Sequence, residues 1–162
     1  MDAKDFAQNM TSLKTIYFPA NLVDDRASST GDFYPYCSGC TALEKAILPH
    51  SCKRSHGGQF NIGGTNTTII FGDPVNGSDL LSICQYQGLG SGIKKLVIYS
   101  ETPPYWHSVN SASFAATTSG GLPPNCHVYV PDSAVDTYKN SGSAKWGNYA
   151  ARIHPISEYS EK

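Results

Sequence analysis

Charged side chains are scarce in this chain of 162 residues, since Asp, Glu, Lys and Arg together make up 15% of it and the formal net charge is −1. A protein that binds nucleic acid needs clustered lysine and arginine to neutralise phosphates, and attachment to an anionic membrane needs similar clusters. The sequence contains no cluster of this kind. We therefore predict that nucleic acid is not a partner and that the chain does not attach to anionic lipid.

Long apolar stretches are also missing from the sequence. No apolar run approaches the roughly 18 residues that a membrane-spanning helix requires. The first six residues, MDAKDF, are acidic and mixed, whereas a secretory leader begins with basic residues and continues with apolar ones. We predict no membrane insertion and no leader in this stretch.

The motifs of common catalytic and nucleotide-binding sites are absent as well. Neither G-x-x-x-x-G-K-[ST] nor a G-x-G-x-x-G that opens a helix occurs, so no phosphate loop is predicted. Five histidines and several serines are present, but no G-x-S-x-G turn or H-E-x-x-H helix places them for catalysis. Asp24 and Asp25 are adjacent in a polar loop, unlike an acid and a base held across a cleft. We predict that the protein is not an enzyme and holds no cofactor.

What the sequence does contain is a repeat. Ten residues from Met10, MTSLKTIYFP, and ten from Cys40, CTALEKAILP, share an apolar residue, two polar residues, an apolar pair one residue apart and a proline. Weaker copies occur at Thr68–Phe71 and Gly92–Ile98. Successive equivalent positions are 30, 23, 27 and 32 residues apart, in or near the range of leucine-rich repeats. These positions are Phe18, Leu48, Phe71, Ile98 and Val130.

A repeat of this kind predicts a chain that winds in successive turns. Each turn contributes one short strand and cannot bury its apolar side alone, so neighbouring turns stack and the terminal turn needs a cover. The predicted cover is the stretch 125–156, where a strand over Val128–Val130 ends at Pro131 because proline has no N–H to donate. A helix with Asp132 or Ser133 as N-cap is expected next, followed by a second short helical segment that His154-Pro155 ends. The residues at helical spacing are Ala134, Val135 and Tyr138 in the first segment and Trp146, Tyr149, Ala150 and Ile153 in the second.

These motifs resemble a known family. MTSLKTIYFP, CTALEKAILP, LVIYSETPPYW and the ending VYVPDSAVDTYKNSGSAKWGNYAARIHPI are similar to BspA-type leucine-rich-repeat surface proteins of gut Bacteroidetes, whose modules also occur in phages of these bacteria. The resemblance implies an α+β repeat, a short leucine-rich-repeat-like solenoid with parallel short strands and a C-terminal helical cap. Residues 1–124 would form irregular solenoid turns, and residues 125–162 the last strand and the cap. The alternative fold is an all-β sandwich, whose strands would pair antiparallel.

The resemblance also implies a function without catalysis. It indicates an adhesin-type binding or attachment module, located extracellularly on a bacterial cell surface, with protein or surface glycan as its partner. Lys4 to Met10 read as the back half of a turn, so the first strand is expected to lie uncapped at the N-terminal end. This open end favours an alternative function, a structural or receptor-binding component of a phage virion that docks on other subunits through that end.

Four aromatic residues are the candidate ligand-binding side chains: Tyr34 and Tyr36 beside a polar loop, and Tyr105 and Trp106 after the fourth strand. Exposed aromatics stack on sugars or anchor protein partners, although in a repeat protein many such residues are core or loop staples. For Tyr105 and Trp106, packing under the C-terminal helices is the favoured interpretation over an outward-facing patch.

The five cysteines allow one more alternative. Cys37, Cys40, Cys52 and His56, with His50 as a further candidate, have the ligand types and roughly the spacing of a zinc site. A Cys37–Cys52 disulfide is a second possibility. Cys40 occupies a position where a buried small residue is expected, and Cys84 and Cys126 are also expected in the core. We predict that no metal is bound.

Overall fold

Short strands dominate the computed structural model, which describes residues 7–20, 32–33, 37, 39–55, 66–83, 92–106, 122–142 and 146–161. The strands are β1 Thr15–Tyr17, β2 Asp32–Phe33, β3 Lys45–Leu48, β4 Arg54–Ser55, β5 Thr67–Phe71, β6 Ser82–Ile83, β7 Ile93–Ile98, β8 Tyr105–Trp106, β9 His127–Val130 and β10 Ile153–Pro155. A six-stranded sheet has the order β1-β3-β5-β7-β9-β10, and a four-stranded sheet has the order β2-β4-β6-β8. From β1 to β8 the chain therefore visits the two sheets alternately, and each circuit adds one strand to each sheet.

The register of the larger sheet confirms the predicted repeat positions. Equivalent residues of successive repeats lie side by side on neighbouring strands, so the unequal separations along the chain come from the connections between strands. The resulting row is Phe18, Leu48, Phe71, Ile98 and Val130. The one irregularity in this register falls between Thr67 and Thr68, at the start of β5.

Two inward rows of the larger sheet form the core. Alternate residues of a strand point to the same face, so a second row lies two residues before the first. Its members are Ile16, Ala46, Ile69, Leu96, Val128 and Ile153. Both rows are buried and belong to one apolar cluster. The cluster also includes Leu80, which lies just before β6 of the smaller sheet, and Ile83, which lies in β6.

Strand pairing decides between the two predicted folds. Every ladder in the described part of the chain is parallel, and the antiparallel pairing found there is an isolated bridge between Asp73 and Gly77. An all-β sandwich requires antiparallel ladders, so that alternative is wrong. The protein is mostly strand, with an all-parallel six-stranded sheet and a short C-terminal helix.

The short helix α1, Val135–Lys139, follows β9 through a 3-10 turn. Its predicted apolar face is confirmed, because Ala134 and Tyr138 are buried and Val135 packs against the core. The predicted N-cap is wrong: Pro131 occupies that position, and no side chain caps the turn. Both candidate side chains have other partners, since Asp132 accepts a hydrogen bond from the Ser157 N–H at 3.1 Å and Ser133 donates to Glu101 at 2.8 Å.

The second predicted helical segment is shorter than expected. A 3-10 helix spans Trp146–Arg152 with a kink at Tyr149, and Ile153 begins β10 instead of ending the helix. The helical assignment of Ile153 is therefore wrong. Its spacing from Tyr149 is helical, but Ile153 is buried beside Val128 in the parallel sheet, and this pairing extends the inward row.

The C-terminal helical segments close over the stretch that follows β7. The Tyr138 hydroxyl donates to the Ser100 carbonyl at 3.0 Å, and the Trp146 ring N–H donates to the Pro104 carbonyl at 2.7 Å. The two rings lie 5.6 Å apart, and both side chains are buried. These bonds satisfy carbonyl groups that burial would otherwise leave without a partner.

Candidate binding surface

Of the four aromatic residues predicted to bind a ligand, the structure describes the side chain of Tyr105. Tyr34 and Tyr36 lie outside the described residues. Trp106 pairs with Ile83 through the backbone of β8, and its side chain is outside the described part of the structure. The Tyr105 side chain is 52% exposed, so the prediction that it packs under the C-terminal helices is wrong. Trp146 bonds to the Pro104 carbonyl, and the Tyr138 ring packs against Trp146.

A larger candidate surface is the face of the six-stranded sheet that points away from the core, which we call the outer face. Two rows of side chains alternate with the inward rows and form this face. The first row is Tyr17, Ile47, Ile70, Val97, Tyr129 and His154, and the second row is Thr15, Lys45, Thr68, Lys95 and His127.

At the β9–β10 end of the outer face, two histidines from neighbouring strands make direct contact. His127 Nδ1 and His154 Nε2 are 2.8 Å apart, and His154 Nδ1 is 3.6 Å from a Glu158 carboxylate oxygen. A hydrogen bond between two imidazole rings needs one ring nitrogen without a proton, so at least one ring is neutral in this arrangement. Partial burial, the neighbouring His154 and then Arg152 lower the pKa of His127 below 6.5.

Across its middle, the outer face is crossed by the chain itself. Residues 156–161, which we call the crossing segment, leave β10 and pass back over β9, β7 and β5 as far as β3. The ring of Tyr159 lies 5.3 Å from the ring of Tyr129 and 5.5 Å from the Lys95 ammonium. Lys95 also donates to the Ser160 carbonyl at 2.9 Å.

The far end of the crossing segment is held on β3. The Lys45 ammonium forms an ion pair with the Glu161 carboxylate at 2.8 Å, which raises the pKa of Lys45. Thr68 on β5 lies between Lys95 and Lys45, and it hydrogen-bonds the Tyr159 hydroxyl.

The crossing segment explains an unusual burial pattern. Val97 and Ile70 point away from the core and do not belong to its apolar cluster, yet Val97 is 0% exposed and Ile70 9% exposed. Tyr159 contacts Thr68, Lys95 and Tyr129, which adjoin these two residues on β5, β7 and β9, so we infer that its ring covers them. The middle of the outer face is thus already occupied.

The β1 end of the outer face is open. Tyr17 is 70% exposed, and its row neighbour Ile47 is partly buried. Lys14 and Glu44 flank this end with an ion pair of 3.1 Å between exposed side chains. An exposed tyrosine beside an aliphatic side chain on a parallel sheet offers an apolar body and a polar tip to a ligand.

No protein-family model matches the chain, and comparisons with curated proteins and with solved structures give no significant match. In the described ranges, no helix is both long and apolar enough to cross a membrane.

The cysteines that the structure describes are core residues. Cys37, Cys40, Cys52 and Cys126 are buried and form no disulfide with one another. Burial was predicted for Cys40 and Cys126, and the expected core position of Cys84 lies outside the described residues. Among the described side chains, no three of His, Cys, Asp and Glu lie close enough to hold a metal ion. His56, one of the possible zinc ligands, is not among the described residues.

Thiol labelling tests this arrangement. Burial raises the pKa of Cys37 and of Cys126 to about 12 each, so almost no thiolate of these two residues exists near pH 8. Cys40 and Cys52 are fully buried, so the reagent cannot reach them in the folded protein. In a Cys84→Ser variant we expect Ellman's reagent to modify the remaining four thiols only as fast as the protein unfolds, and to detect all four in guanidinium chloride. A denatured count below four that a reductant or a chelator restores would instead reveal a disulfide or a bound metal.

The histidine pair predicts a dependence of stability on pH. Because the pKa of His127 is lower in the folded state than in the unfolded chain, the unfolded chain binds more protons as the pH falls below 6.5. We expect the contribution of His127 to the free energy of unfolding to be complete above pH 6.5. This contribution should decline as the pH falls through the pKa that His127 has in the folded state. Melting temperatures between pH 7.5 and 5.0 should fall less for His127→Gln than for the unaltered chain. If the melting temperature fell equally with pH in both proteins, this expectation would be contradicted. The pKa values of Asp73 and Asp132 are also lowered in the folded state, but these groups titrate only at more acidic pH.

Sequence reasoning missed the crossing segment entirely. Ser157 to Glu161 carry no periodic apolar pattern, and their long-range contacts join them to residues 25 to 116 positions earlier in the sequence. The available signal was the isolated Tyr159 between two glutamates in an otherwise polar tail, which does not by itself indicate where the ring packs.

Proposed function

We propose that the protein is a non-catalytic binding and attachment module built as a short leucine-rich-repeat-like solenoid. The solenoid is supported by repeats of unequal length that keep one parallel register, each contributing one strand to the larger sheet. The sequence resemblance to BspA-type surface proteins supports an extracellular position on a bacterial cell, with protein or surface glycan as the partner.

The observation that carries the proposal is the open β1 end of the outer face. Tyr17 projects there from a strand that is paired in register with β3, so the ring is presented by regular secondary structure. Aromatic residues on such positions contribute large contact areas with little loss of side-chain entropy. Tyr105, exposed on the smaller sheet, provides a second aromatic position.

A binding screen with matched variants tests the proposal. The intact, fluorescently labelled chain would be applied to an array of host glycans and to immobilised extracellular-matrix proteins. We expect saturable binding that Tyr17→Ala weakens about tenfold, as is common for a central interface aromatic. Val75→Ala is the control, because Val75 is 87% exposed in the turn between Asp73 and Gly77 and belongs to neither row of the outer face. No saturable partner, or an equal loss in the control, would contradict the proposal.

A second candidate function follows from the backbone of β1. This strand pairs with β3 on one side, and no other strand in the described part of the chain pairs with its second side. An unpaired parallel edge beside exposed Met10 and Tyr17 is suited to docking another subunit. This supports a virion component that assembles through its N-terminal end.

Light scattering at several concentrations separates the two candidates. A stable closed oligomer that Thr15→Pro dissociates would favour the virion component. The Lys14 carbonyl bonds to β3, so the N–H of the next residue, Thr15, points to the unpaired side of β1, and proline removes that donor. A monomer over the whole concentration range would favour the attachment module.

A further inference from the structure

The crossing segment binds to the outer face through side chains that are specific for its chemistry. Tyr159 is held between the Tyr129 ring and the Lys95 ammonium, above Val97 and Ile70. Two residues later, the Glu161 carboxylate meets Lys45. An aromatic ring over a lysine and a carboxylate on a second lysine are recognition contacts that any peptide with the same spacing can make.

These contacts are individually weak. Glu161 is 68% exposed and the Lys45 side chain 22% exposed, so water screens their attraction, and surface ion pairs of this kind contribute little stability. The segment stays in place because it is tethered directly to β10, and a short tether gives an effective concentration in the millimolar range. A competing segment with the same chemistry and some additional contacts can therefore replace it.

We propose that the outer face between β3 and β9 is a binding site for acidic, tyrosine-containing peptide segments of a partner protein, and that the crossing segment is its intramolecular occupant. The site reads a tyrosine followed two residues later by a carboxylate. This inference rests on the proposed binding function and narrows the partner from protein or glycan to a protein segment of defined chemistry. The partner gains access by displacing residues 156–161.

The test uses the full chain with the crossing segment weakened by two substitutions, Tyr159→Ala and Glu161→Ala. The probe is the acetylated and amidated peptide ISEYSE, which copies residues 156–161. Binding is followed by NMR, with the Val97 and Tyr129 resonances reporting on the site. We expect the resonances of Val97 to shift when the segment is released, and to return toward their original positions as the peptide is added. At the same peptide concentration, the unaltered chain should bind at least tenfold less.

Charge exchange supplies the control for the site. Adding Lys45→Glu to the double variant should weaken binding of ISEYSE by up to about fivefold, the range of one surface ion pair. The peptide ISEYSK should recover this loss on the Lys45→Glu chain, and ISEASA should not bind to any of the proteins. Circular dichroism establishes that each variant keeps its strand content.

The outcomes separate this inference from the proposed function. A double variant whose Val97 resonances stay unchanged, or which does not bind ISEYSE, overturns the peptide site even if the array reveals a partner at Tyr17. If ISEYSE bound to the unaltered chain as tightly as to the double variant, the peptide site would also be overturned. In the unaltered chain residues 156–161 already fill the proposed site, so the peptide would have to bind elsewhere. Peptide binding that follows the charge exchange supports the inference whatever the array shows.

Discussion

Leu96→Ala is expected to lower the free energy of unfolding by about 3.5 kcal/mol, the middle of the roughly 2–5 kcal/mol range for buried leucine-to-alanine changes. Leu96 is fully buried at the centre of the inward row, between Ile69 on β5 and Val128 on β9. Its neighbours are fixed by parallel ladders on both sides, so the sheet has little freedom to collapse into the space that the lost methyl groups leave. Urea unfolding, followed by circular dichroism, gives the change directly.

The matched control for this prediction is Leu81→Ala. Leu81 precedes β6, and its side chain is 57% exposed, so the same chemical change removes few buried contacts. We expect its effect to stay within about 0.5 kcal/mol. If the two variants lost similar stability, the inward row would not be the main source of the core's stability.

Gly72→Ala is expected to cost about 2 to 5 kcal/mol, from two effects that add. Gly72 has a φ of +85° at the end of β5, where an alanine would adopt a left-handed conformation at about 1–2 kcal/mol. A Cβ at this position would also overlap the Gly77 carbonyl oxygen, and overpacking of this kind adds about 1–3 kcal/mol. The clash is with backbone, because Asp73 and Gly77 pair with each other in the turn that follows β5.

Two other glycines separate these contributions. Gly77 has a φ of +70°, and the nearest atom to its Cβ would be the Tyr99 carbonyl oxygen at 3.4 Å, so Gly77→Ala carries the backbone cost without the overlap. Gly142 has open space around its Cβ position, and Gly142→Ala should change stability by no more than about 0.5–1 kcal/mol. Thermal melts of the three variants should rank Gly72→Ala well below Gly77→Ala, with Gly142→Ala close to the unaltered chain. A Gly77→Ala variant as unstable as Gly72→Ala would contradict the role of the overlap.

The larger sheet could be predicted because its signal is local. In the segments ending at Phe18 and Leu48, two apolar residues are separated by one residue and followed by proline. This pattern defines both the strand and its inward face. The alignment of such segments then fixes the register, since a shift by one residue would turn every apolar side chain to the outer face. The predicted positions therefore coincide with the observed row even though the connections differ in length.

The smaller sheet and β10 could not be predicted in the same way. Strands β2, β4, β6 and β8 have two residues each, too few to establish any periodicity, and their position depends on where the larger sheet directs the chain. Ile153 has helical spacing from Tyr149, and only the pairing with Val128 assigns it to a strand. The candidate surface was missed for a similar reason, because the path of residues 156–161 depends on contacts with four distant strands.

The strand order also determines how the molecule transmits mechanical load. Strands β1 and β10 form the two edges of the larger sheet, five strand spacings or about 24 Å apart. A pull between these edges acts along the hydrogen bonds of the ladders and separates the outermost pair first, so the sheet opens strand by strand at modest force. The contact of Glu161 with Lys45 joins the chain beyond β10 to β3 and bypasses the four ladders between β3 and β10. Displacing the crossing segment would remove that bypass. The protein with a partner bound in place of the segment would therefore open at lower force than the protein without a partner.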